Sequence, residues 1–527
     1  MTETTAHSTI FQWVAAYPFT ILFCLTAVWL LSNKFKPGLR SIPGPPLAAY
    51  TKLWRLLDVR RGQAHWTSIA LHKKYGKLVR LAPNVVSVSD PAMVPVIYNI
   101  KGDFTKTGFY PIQCVSWQKK PQMNLFSTRS EVEHREQKKK VANAYSLESL
   151  LKMEGKIDEC TRLFQEKLGE FADVGREVDL GSWLQYYAFD VVGELTFDKK
   201  LGFLEKGGDV DGMMEAIEGM LLYASQCGQV PEAHPFLLGN PLFPILMPQM
   251  ETWNAVLNFT LKAINTRTTI SRDGELELEE GRVGNDMLSR WAAVKSSDPL
   301  KMSTRDVVVH LSTNVFAGSD TTAIALRAIL YFLIKNPAAM QKLVREIDEA
   351  ELSPIVQDRE ARERLPYLNA VIKEAMRLHP SVGLLLERHV PKGGATICDT
   401  HIPGGTIVGI NAWVLHHDET IFPQPEEFIP ERWLEGWSPY GQKTKGEKVA
   451  DDKDRLAEME KSFFPFGAGS RTCIGRNISM IEMRKIIPQL LREFEVSIPG
   501  DKEWVCRNVW FVQQQMPPCV LKRRNKV

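Results

Sequence analysis

The sequence lacks closely spaced cysteines. Its eight cysteines are scattered over 527 residues, and no Cys-x-x-Cys pair occurs. Paired cysteines at short spacing are the usual signature of structural zinc sites and dithiol redox centres, so the sequence indicates neither class. Wide spacing in a chain of this length favours free thiols in a reducing compartment. Any metal chemistry must therefore depend on one cysteine in a special setting.

The sequence also lacks an excess of either charge. Lys and Arg number 65 against 62 Asp and Glu, which gives a formal net charge of +3. No basic block with interleaved aromatic residues occurs, so we expect no nucleic-acid partner. A G-x-G-x-x-G motif after a strand is missing too, so the sequence indicates no flavin or nicotinamide site. Any electrons must come from another protein.

One long apolar segment stands near the N-terminus. Residues 11 to 31 carry no charge and are long enough to cross a bilayer as a helix. The alternative is a cleaved signal peptide, but no basic residue precedes the segment and no small-residue cleavage site is evident. Lys34, Lys36 and Arg40 follow it, and the positive-inside rule then leaves the rest of the chain in the cytosol. The predicted organisation is a lumenal N-terminus (1–10), a transmembrane anchor (11–31), a basic Pro-rich hinge (32–46) and one globular domain (47–527).

The globular part combines a long helical region with little strand. Residues 78–81 and 85–88 flank a turn and predict a strand hairpin. From about residue 130 to 380 the pattern is mostly helical, and strand character returns at 395–412. We therefore expect a mainly α fold with a small β lobe near the N-terminal side.

A glycine-rich loop surrounds Cys473. Residues 464 to 475 read FPFGAGSRTCIG, and Gly467 and Gly469 permit a tight turn. A helix predicted from Ile474 to Leu490 would place its N-terminal amides beside Cys473 and stabilise a thiolate. Such a thiolate can be the axial ligand of a haem iron. The alternative is a buried structural cysteine.

A carboxylate and a guanidinium stand three residues apart in the helical run 369–378. Glu374 and Arg377 share one face of that helix, and Arg432 follows in the string Pro-Glu-Arg-Trp. By itself such a pair is usually a solvated surface contact.

A long helix is predicted from a cap at Ser303 to about Lys335. A second pair of polar groups lies inside it. Its centre reads Ala317-Gly318-Ser319-Asp320-Thr321-Thr322. A mid-helix glycine costs about 0.5–1 kcal/mol relative to alanine, so we expect a close neighbour at Gly318. The Thr321 hydroxyl can bond back to the Ala317 carbonyl and open the helix locally. An acid beside an alcohol can relay protons. Packing through small residues is the alternative.

Together these strings resemble the cytochrome P-450 family. Every fixed position of its F-x-x-G-x-R-x-C-x-G signature is matched, by Phe466, Gly469, Arg471, Cys473 and Gly475. The strings around Glu374 and Arg432 resemble its E-x-x-R and P-E-R-F elements. The string at 317–322 resembles its oxygen-activation motif. The resemblance covers nearly the whole chain after the hinge and is closest to the fungal pisatin-demethylase-like branch.

The resemblance implies roles for these residues. Cys473 is implied as the iron ligand of haem b, and Asp320 and Thr321 as the proton-delivery pair. Glu374, Arg377 and Arg432 are implied as a buried structural network. Arg471 suits a haem propionate, and Arg388 aligns with a second propionate-binding arginine. His134 and Lys138 stand where the family often has W-x-x-x-R, and both depart from that pattern; a basic solvated helix face is the alternative.

The implied activity is insertion of one oxygen atom from dioxygen into an apolar organic substrate. Four stretches resemble substrate-recognition segments, although apolar residues at such spacing also build cores: 105–129, 309–318, 381–386 and 509–512. The resemblance implies an NADPH–cytochrome reductase as electron donor and a single-pass location in the endoplasmic reticulum membrane with a cytosolic catalytic domain. The rivals are an oxygen-independent haem-thiolate isomerase or dehydratase, and a non-catalytic haem-binding scaffold.

Overall fold

The structure is a computed structural model that describes residues 17–117, 120–237, 255–270, 276–278, 284–438, 452–500 and 502–524. The helices are α1 Pro18–Lys34, α2 Leu53–Arg60, α3 Ala64–Tyr75, α4 Val94–Ile97, α5 Glu131–Val141, α6 Leu147–Leu151, α7 Glu154–Asp173, α8 Leu180–Phe197, α9 Phe203–Lys206, α10 Met213–Cys227, α11 His234–Leu237, α12 Ala255–Asn265, α13 Met287–Ser297, α14 Thr304–Lys335, α15 Pro337–Glu349, α16 Asp358–Arg364, α17 Pro366–Leu378, α18 Ala412–His416, α19 Asp452–Ser462 and α20 Arg476–Glu493.

The strands are short. They are β1 Leu78–Ala82, β2 Val85–Val88, β3 Thr105–Lys106, β4 Val115–Trp117, β5 Lys120–Gln122, β6 Thr268–Ile270, β7 Leu276–Leu278, β8 Arg388–His389, β9 Ala395–Ile397, β10 Thr400–Ile402, β11 Ile407–Ile410, β12 Phe494–Ser497, β13 Val505–Val509, β14 Phe511–Gln515 and β15 Val520–Arg523. The prediction of a mainly helical fold with a small β lobe is confirmed.

Helix α14 is the centre of the helical body. It begins after Ser303 because a capping box forms there: the Ser303 hydroxyl accepts from the Asp306 amide and the Asp306 carboxylate accepts from the Ser303 amide, both at 3.1 Å. Among the described residues, α14 is the one helix with the length and apolar content of a membrane span. Most of it is buried by neighbouring helices, as expected of a core helix.

Helices α8 and α14 cross closely at Gly318. A β-carbon placed on Gly318 would lie 2.8 Å from Cγ2 of Val192, which is nearer than side chains tolerate. The expectation of a close neighbour at this glycine is confirmed, because only a residue without a β-carbon lets the two helices approach to this distance.

The β lobe is built around one five-stranded sheet, with strand order β1-β2-β11-β8-β3. The predicted hairpin pairs Leu78 with Val88 and Val79 with Ser87, and β11 then adds parallel to β2. Strand β8 pairs antiparallel with β11 on one side and with β3 on the other, so the buried Arg388 lies within the sheet and not at its edge. The apolar faces of these strands form a second core beside the helical body.

The N-terminal helix α1 differs in its bounds from the predicted anchor. It ends at Lys34, and residues 11–16 of the anchor lie outside the described part of the chain. None of its residues is buried, and large apolar side chains such as Phe19 and Phe23 are exposed. Its described part is an apolar helix of 17 residues.

The segment predicted as a hinge is packed onto the sheet. Leu39 and Ile42 are buried in the core of the β lobe. The Arg80 guanidinium, on β1, donates to the carbonyl oxygens of Asn33 at 2.6 Å and Lys34 at 3.0 Å, which are the last residues of α1. Arg80 therefore caps the end of α1 and ties it to the sheet.

The close approach at Gly318 gives a first test. We expect Gly318→Ala to lower the free energy of unfolding by about 1–3 kcal/mol, because overpacking against Val192 outweighs the gain of about 0.5–1 kcal/mol in helix propensity. Thermal unfolding of the purified protein measures the change. The double variant Gly318→Ala/Val192→Ala should regain most of the loss, whereas a single variant as stable as wild type would show that the crossing widens without cost.

Candidate active site

The loop before Cys473 is closed by the backbone. The Cys473 amide donates to the Phe466 carbonyl at 2.9 Å, and Gly467 and Gly469 both have positive φ. A β-carbon on Gly469 would overlap the Tyr98 carbonyl oxygen, so this position requires glycine. Helix α20 begins at Arg476, two residues later than predicted, because residues 474 and 475 form a turn before it.

The Cys473 thiol receives hydrogen bonds from the amides of Gly475 and Arg476, as the predicted helix start requires. Burial raises the pKa of Cys473, and the two amides, Arg476 and Lys138 lower it only in part. The helix start therefore does not produce a thiolate by itself. A cation bound directly to sulfur would complete the deprotonation, because a coordinating thiol loses its proton outright.

Cys473 lies inside the protein but faces space that solvent can reach. Its side chain is exposed although protein atoms surround it. On α14, Ala317 is exposed midway along a helix whose flanking positions Val315 and Ser319 are buried. Helices α14 and α20 are joined by a 2.8 Å hydrogen bond between the hydroxyls of Thr322 and Ser479. Cys473, just before α20, and Ala317, on α14, therefore mark an internal site.

A basic cluster of Lys106, Lys138, Arg388 and Arg471 lies beside this site. The electrostatic neighbours of Lys106 are Arg388, Arg471 and one carboxylate, Glu131. Burial, followed by Arg388 and Arg471, holds the pKa of Lys106 well below its usual value. An excess of cations in a buried region is unfavourable unless an anion compensates it. The cluster therefore fits a ligand that carries carboxylates.

All four residues expected at the propionates, Arg388, Arg471, His134 and Lys138, are found in or beside the basic cluster. The Arg388 guanidinium donates to the Tyr110 hydroxyl at 2.9 Å, and the Lys138 ammonium donates to the Ser470 carbonyl at 2.9 Å. Burial, with Arg471 and Lys106, lowers the pKa of His134 to about 3, so its ring is neutral. His134 and Lys138 thus face the cysteine loop and do not form a solvated surface.

Arg471 makes a contact that the sequence did not indicate. Its guanidinium pairs with the Glu131 carboxylate, at 2.7 Å from Nη2 to Oε1 and 3.0 Å from Nε to Oε1. Lys106 was also missed, because nothing in its local sequence marks it as buried. Both were detectable only from the fold, which brings β3, α5 and the cysteine loop together.

The predicted carboxylate–guanidinium network is fully buried. Glu374 accepts from Arg377 at 2.8 and 2.9 Å and from Arg432 at 3.0 Å, and all three side chains are inaccessible. Burial alone would raise the pKa of Glu374, but the two guanidinium groups hold it below its usual value. Trp433 contributes more than expected, because its indole N–H donates to Glu374 at 2.8 Å, which a phenylalanine could not do.

The network reaches the cysteine loop through His416. Arg377 donates to the His416 carbonyl at 2.8 Å, and the Phe464 amide donates to Nε2 of the His416 ring at 2.8 Å. Nε2 is therefore the acceptor, and Nδ1 carries the proton that it donates to the Arg377 carbonyl at 3.0 Å. This neutral histidine connects the buried network to the first residue of the loop.

Asp320 and Thr321 point in different directions. The Thr321 hydroxyl donates to the Ala317 carbonyl at 2.8 Å, as predicted, but α14 stays helical there, because a carbonyl oxygen can accept two hydrogen bonds. Asp320 is 3% exposed and accepts from Gln185 on α8 at 2.5 Å. Burial raises the pKa of Asp320 to about 6. Adjacent residues on a helix lie about 100° apart, which separates the acid from the alcohol.

Gln185 and Arg327 hold the Asp320 carboxylate. Gln185 accepts from the Arg327 guanidinium at 2.6 Å, which orients its amide group so that the nitrogen faces Asp320. The positive charge of Arg327 opposes the effect of burial on the pKa of Asp320. Sequence inspection missed both residues, since Gln185 lies on another helix and Arg327 is seven positions away.

The four stretches predicted to recognise substrate come together. Phe109 packs against Trp510 in a tilted arrangement with ring centroids 4.6 Å apart, and Val382 forms a bridge with Phe511. Phe316, just before Ala317, packs against the apolar cluster of Ile112. Helix α10 also contributes to that cluster and was missed by the sequence, with Met220, Tyr223 and Ala224. Residues 118 and 119 of the first stretch lie outside the described chain.

These residues fit haem. A lone cysteine sulfur receives amide hydrogen bonds and faces an internal site, and buried cations that could pair with two propionates lie beside it. Among the described residues, no cluster of three His, Cys, Asp or Glu side chains offers another metal site. All eight cysteines are free, as predicted. This donor set defines a haem-thiolate protein.

Comparison with known proteins agrees. The model of the family described as Cytochrome P450 matches residues 43–521. A cytochrome P450 monooxygenase of Emericella nidulans, cicH, is 36% identical over 515 residues, 96% of this chain and 98% of that protein. A cytochrome P450 monooxygenase of Aspergillus terreus is 37% identical over 470 residues, 87% and 90% of the two chains. A pisatin demethylase of Fusarium vanettenii is 34% identical over 515 residues, 96% and 93% of the two chains.

The chain belongs to the cytochrome P450 family. It is a haem-dependent monooxygenase, which confirms the expected class of enzyme and cofactor. The same comparisons speak against the oxygen-independent isomerase or dehydratase and against a non-catalytic scaffold.

The role of Cys473 can be tested by spectroscopy. We expect Cys473→Ser to abolish the red-shifted absorption band of the reduced carbon monoxide complex, because a serine oxygen donates less electron density to iron than a thiolate. Cys398→Ser, in the β lobe, is the control and should keep the band. A retained band in Cys473→Ser would contradict the assignment of this ligand.

Proposed function

We propose that this enzyme inserts one atom of dioxygen into an apolar organic substrate, by hydroxylation, O-demethylation or a similar oxidation, in fungal secondary metabolism or detoxification. One observation carries the choice of an apolar substrate. The four predicted recognition stretches and α10 bring aromatic and aliphatic side chains into contact with one another, among them Phe316, the neighbour of the exposed Ala317, and pockets lined by such side chains bind apolar ligands. The pisatin demethylases among its relatives support an oxidation of this kind.

We propose that the haem is held by residues on both sides of the cysteine loop. Cys473 supplies the axial sulfur, and Phe466 and Gly469 shape the loop that presents it. Arg388, Arg471 and Lys138 would bind the propionates as cations, and neutral His134 would donate a hydrogen bond. The bound haem supplies the activation of dioxygen.

Proton delivery is proposed for α14. Thr321 is partly exposed, next to the exposed Ala317, so its hydroxyl can donate to an oxygen atom in the internal site once it releases the Ala317 carbonyl. Asp320 has a pKa of about 6, which leaves part of its population protonated near neutral pH. Asp320 must leave Gln185, or act through water, to reprotonate Thr321, because the two side chains point apart.

Electrons are proposed to come from an NADPH–cytochrome reductase in the endoplasmic reticulum membrane. The apolar exposed surface of α1 and the basic residues after it support a single-pass anchor with the catalytic domain in the cytosol. A shared membrane would keep the two proteins at a high local concentration.

Substitution of Thr321 tests whether this residue delivers protons, because the variant should keep the fold. We expect Thr321→Val to keep the haem content and the carbon monoxide band while product per NADPH falls, with hydrogen peroxide formed instead. The reason is that the hydroxyl no longer orders the proton donor. Asp320→Asn should slow the whole cycle, by about 10²–10⁴ if one proton-transfer role is lost. Product, NADPH and peroxide are assayed in one reaction. Wild-type coupling in Thr321→Val would contradict a proton role for this threonine.

The anchor is tested in microsomes. We expect the full-length protein to stay in carbonate-washed membranes, because α1 exposes mostly apolar side chains and carries no charge before Lys34. Protease added outside intact vesicles should digest the catalytic domain, while a lumenal marker in the same sample stays protected. A full-length protein released by carbonate, or a protected catalytic domain, would contradict this topology.

A further inference from the structure

The ion pair between Glu131 and Arg471 uses most of the hydrogen-bonding capacity of the arginine. A guanidinium has five N–H donors. Nε and one N–H of Nη2 go to Glu131, one N–H of Nη1 goes to the Leu125 carbonyl at 3.2 Å, and the other of Nη2 goes to the Ser130 carbonyl at 3.4 Å. One donor is left for a haem carboxylate, and the charge of Arg471 is already paired.

Glu131 is also distinctive within the basic cluster. It is a carboxylate that faces both Arg471 and Lys106. The nearby Glu387 carboxylate is occupied by Arg55 and by the Thr107 hydroxyl, the latter at 2.7 Å. The side chain of Arg471 is 4% exposed and that of Glu131 is 14% exposed, so solvent screens the pair weakly.

We propose that Glu131 is a positioning residue that limits how strongly Arg471 attracts the haem carboxylates, and that it thereby lowers both the affinity for haem and the reduction potential of the iron. This inference rests on the proposed role of Arg471 toward a propionate. Reduction adds one negative charge at the iron centre, so an uncompensated Arg471 would favour the reduced state.

A purely structural Glu131 predicts the opposite sign. Glu131 lies in the first turn of α5, where a negative charge stabilises the helix, and it ties that helix to the cysteine loop. If this were its only role, its removal would loosen the site and haem would dissociate faster. If Glu131 instead competes with the haem carboxylates for Arg471, its removal should slow haem dissociation even if the apoprotein becomes less stable.

The test uses Glu131→Gln, which keeps the size of the side chain and removes its charge. We expect transfer of haem from the purified holoenzyme to an excess of apomyoglobin to slow by about tenfold, equivalent to about 1.4 kcal/mol, and the ferric–ferrous potential to become more positive. Glu131→Asp keeps the charge and should keep the wild-type potential. Faster or unchanged haem transfer, or an unchanged potential, in Glu131→Gln would overturn the proposal.

Glu133→Gln is the matched control. Glu133 lies in the same first turn of α5, but its carboxylate accepts from Thr128 at 2.5 Å and from Gln137 at 3.1 Å. Glu133→Gln removes one negative charge from the first turn of α5, as Glu131→Gln does, but it leaves the ion pair of Arg471 intact. We expect wild-type haem transfer and potential in this variant, and a shift equal to that of Glu131→Gln would overturn the proposal by showing a general charge effect.

A double-mutant cycle with Arg471→Gln separates this inference from the function on which it rests. Arg471→Gln should speed haem transfer, and Glu131→Gln should have no further effect in that background. Wild-type haem transfer in Arg471→Gln would show that Arg471 does not bind the haem carboxylates, so the proposed role of Arg471 would fail. A second outcome would overturn only the role of Glu131: haem transfer is faster in Arg471→Gln, and Glu131→Gln changes the transfer rate by the same factor whether Arg471 is present or replaced.

Discussion

Burial of the Glu374 carboxylate constrains the part of the molecule that carries the cysteine loop. A carboxylate without access to water must be paired and hydrogen-bonded, because its desolvation costs several kcal/mol. Arg377, Arg432 and the Trp433 indole meet that requirement from two segments far apart in sequence. Their positions are fixed by one another, and removal of Glu374 would leave two buried guanidinium groups without their shared carboxylate.

The position of the cysteine loop follows from this network. His416 is held by Arg377 on one side and accepts the Phe464 amide on the other, so the start of the loop cannot shift independently of α17. Gly469 then lets the loop pass against the Tyr98 carbonyl, and the Phe466 carbonyl fixes the Cys473 amide. The sulfur is therefore positioned by the closed loop and by the Gly475 and Arg476 amides that donate to it, while its exposed side stays open toward the internal site.

The sequence was sufficient where function depends on short strings. The capped start of α14 could be predicted because capping is a local property, whereas the roles expected of Cys473, Glu374 and Arg377 came from the resemblance of their short strings to the cytochrome P-450 family. Glu131, Lys106 and Gln185 could not, since their significance arises when separate elements fold together. The start of α20 was predicted too early because the turn at Gly475 carries no distinctive side chain. The direction of Asp320 was missed for a different reason: adjacency in sequence does not give a common face on a helix.

The contact between Arg80 and the end of α1 has a mechanical consequence. A flexible linker would let a membrane-bound body swivel freely, but here the last carbonyls of the helix are held by a buried guanidinium of the sheet. If α1 lies in a bilayer, the helix and the catalytic domain then tilt together as one rigid body. A thinner or thicker bilayer changes the tilt of a helix, so lipid composition would alter the height and angle at which the catalytic domain rests on the lipid surface.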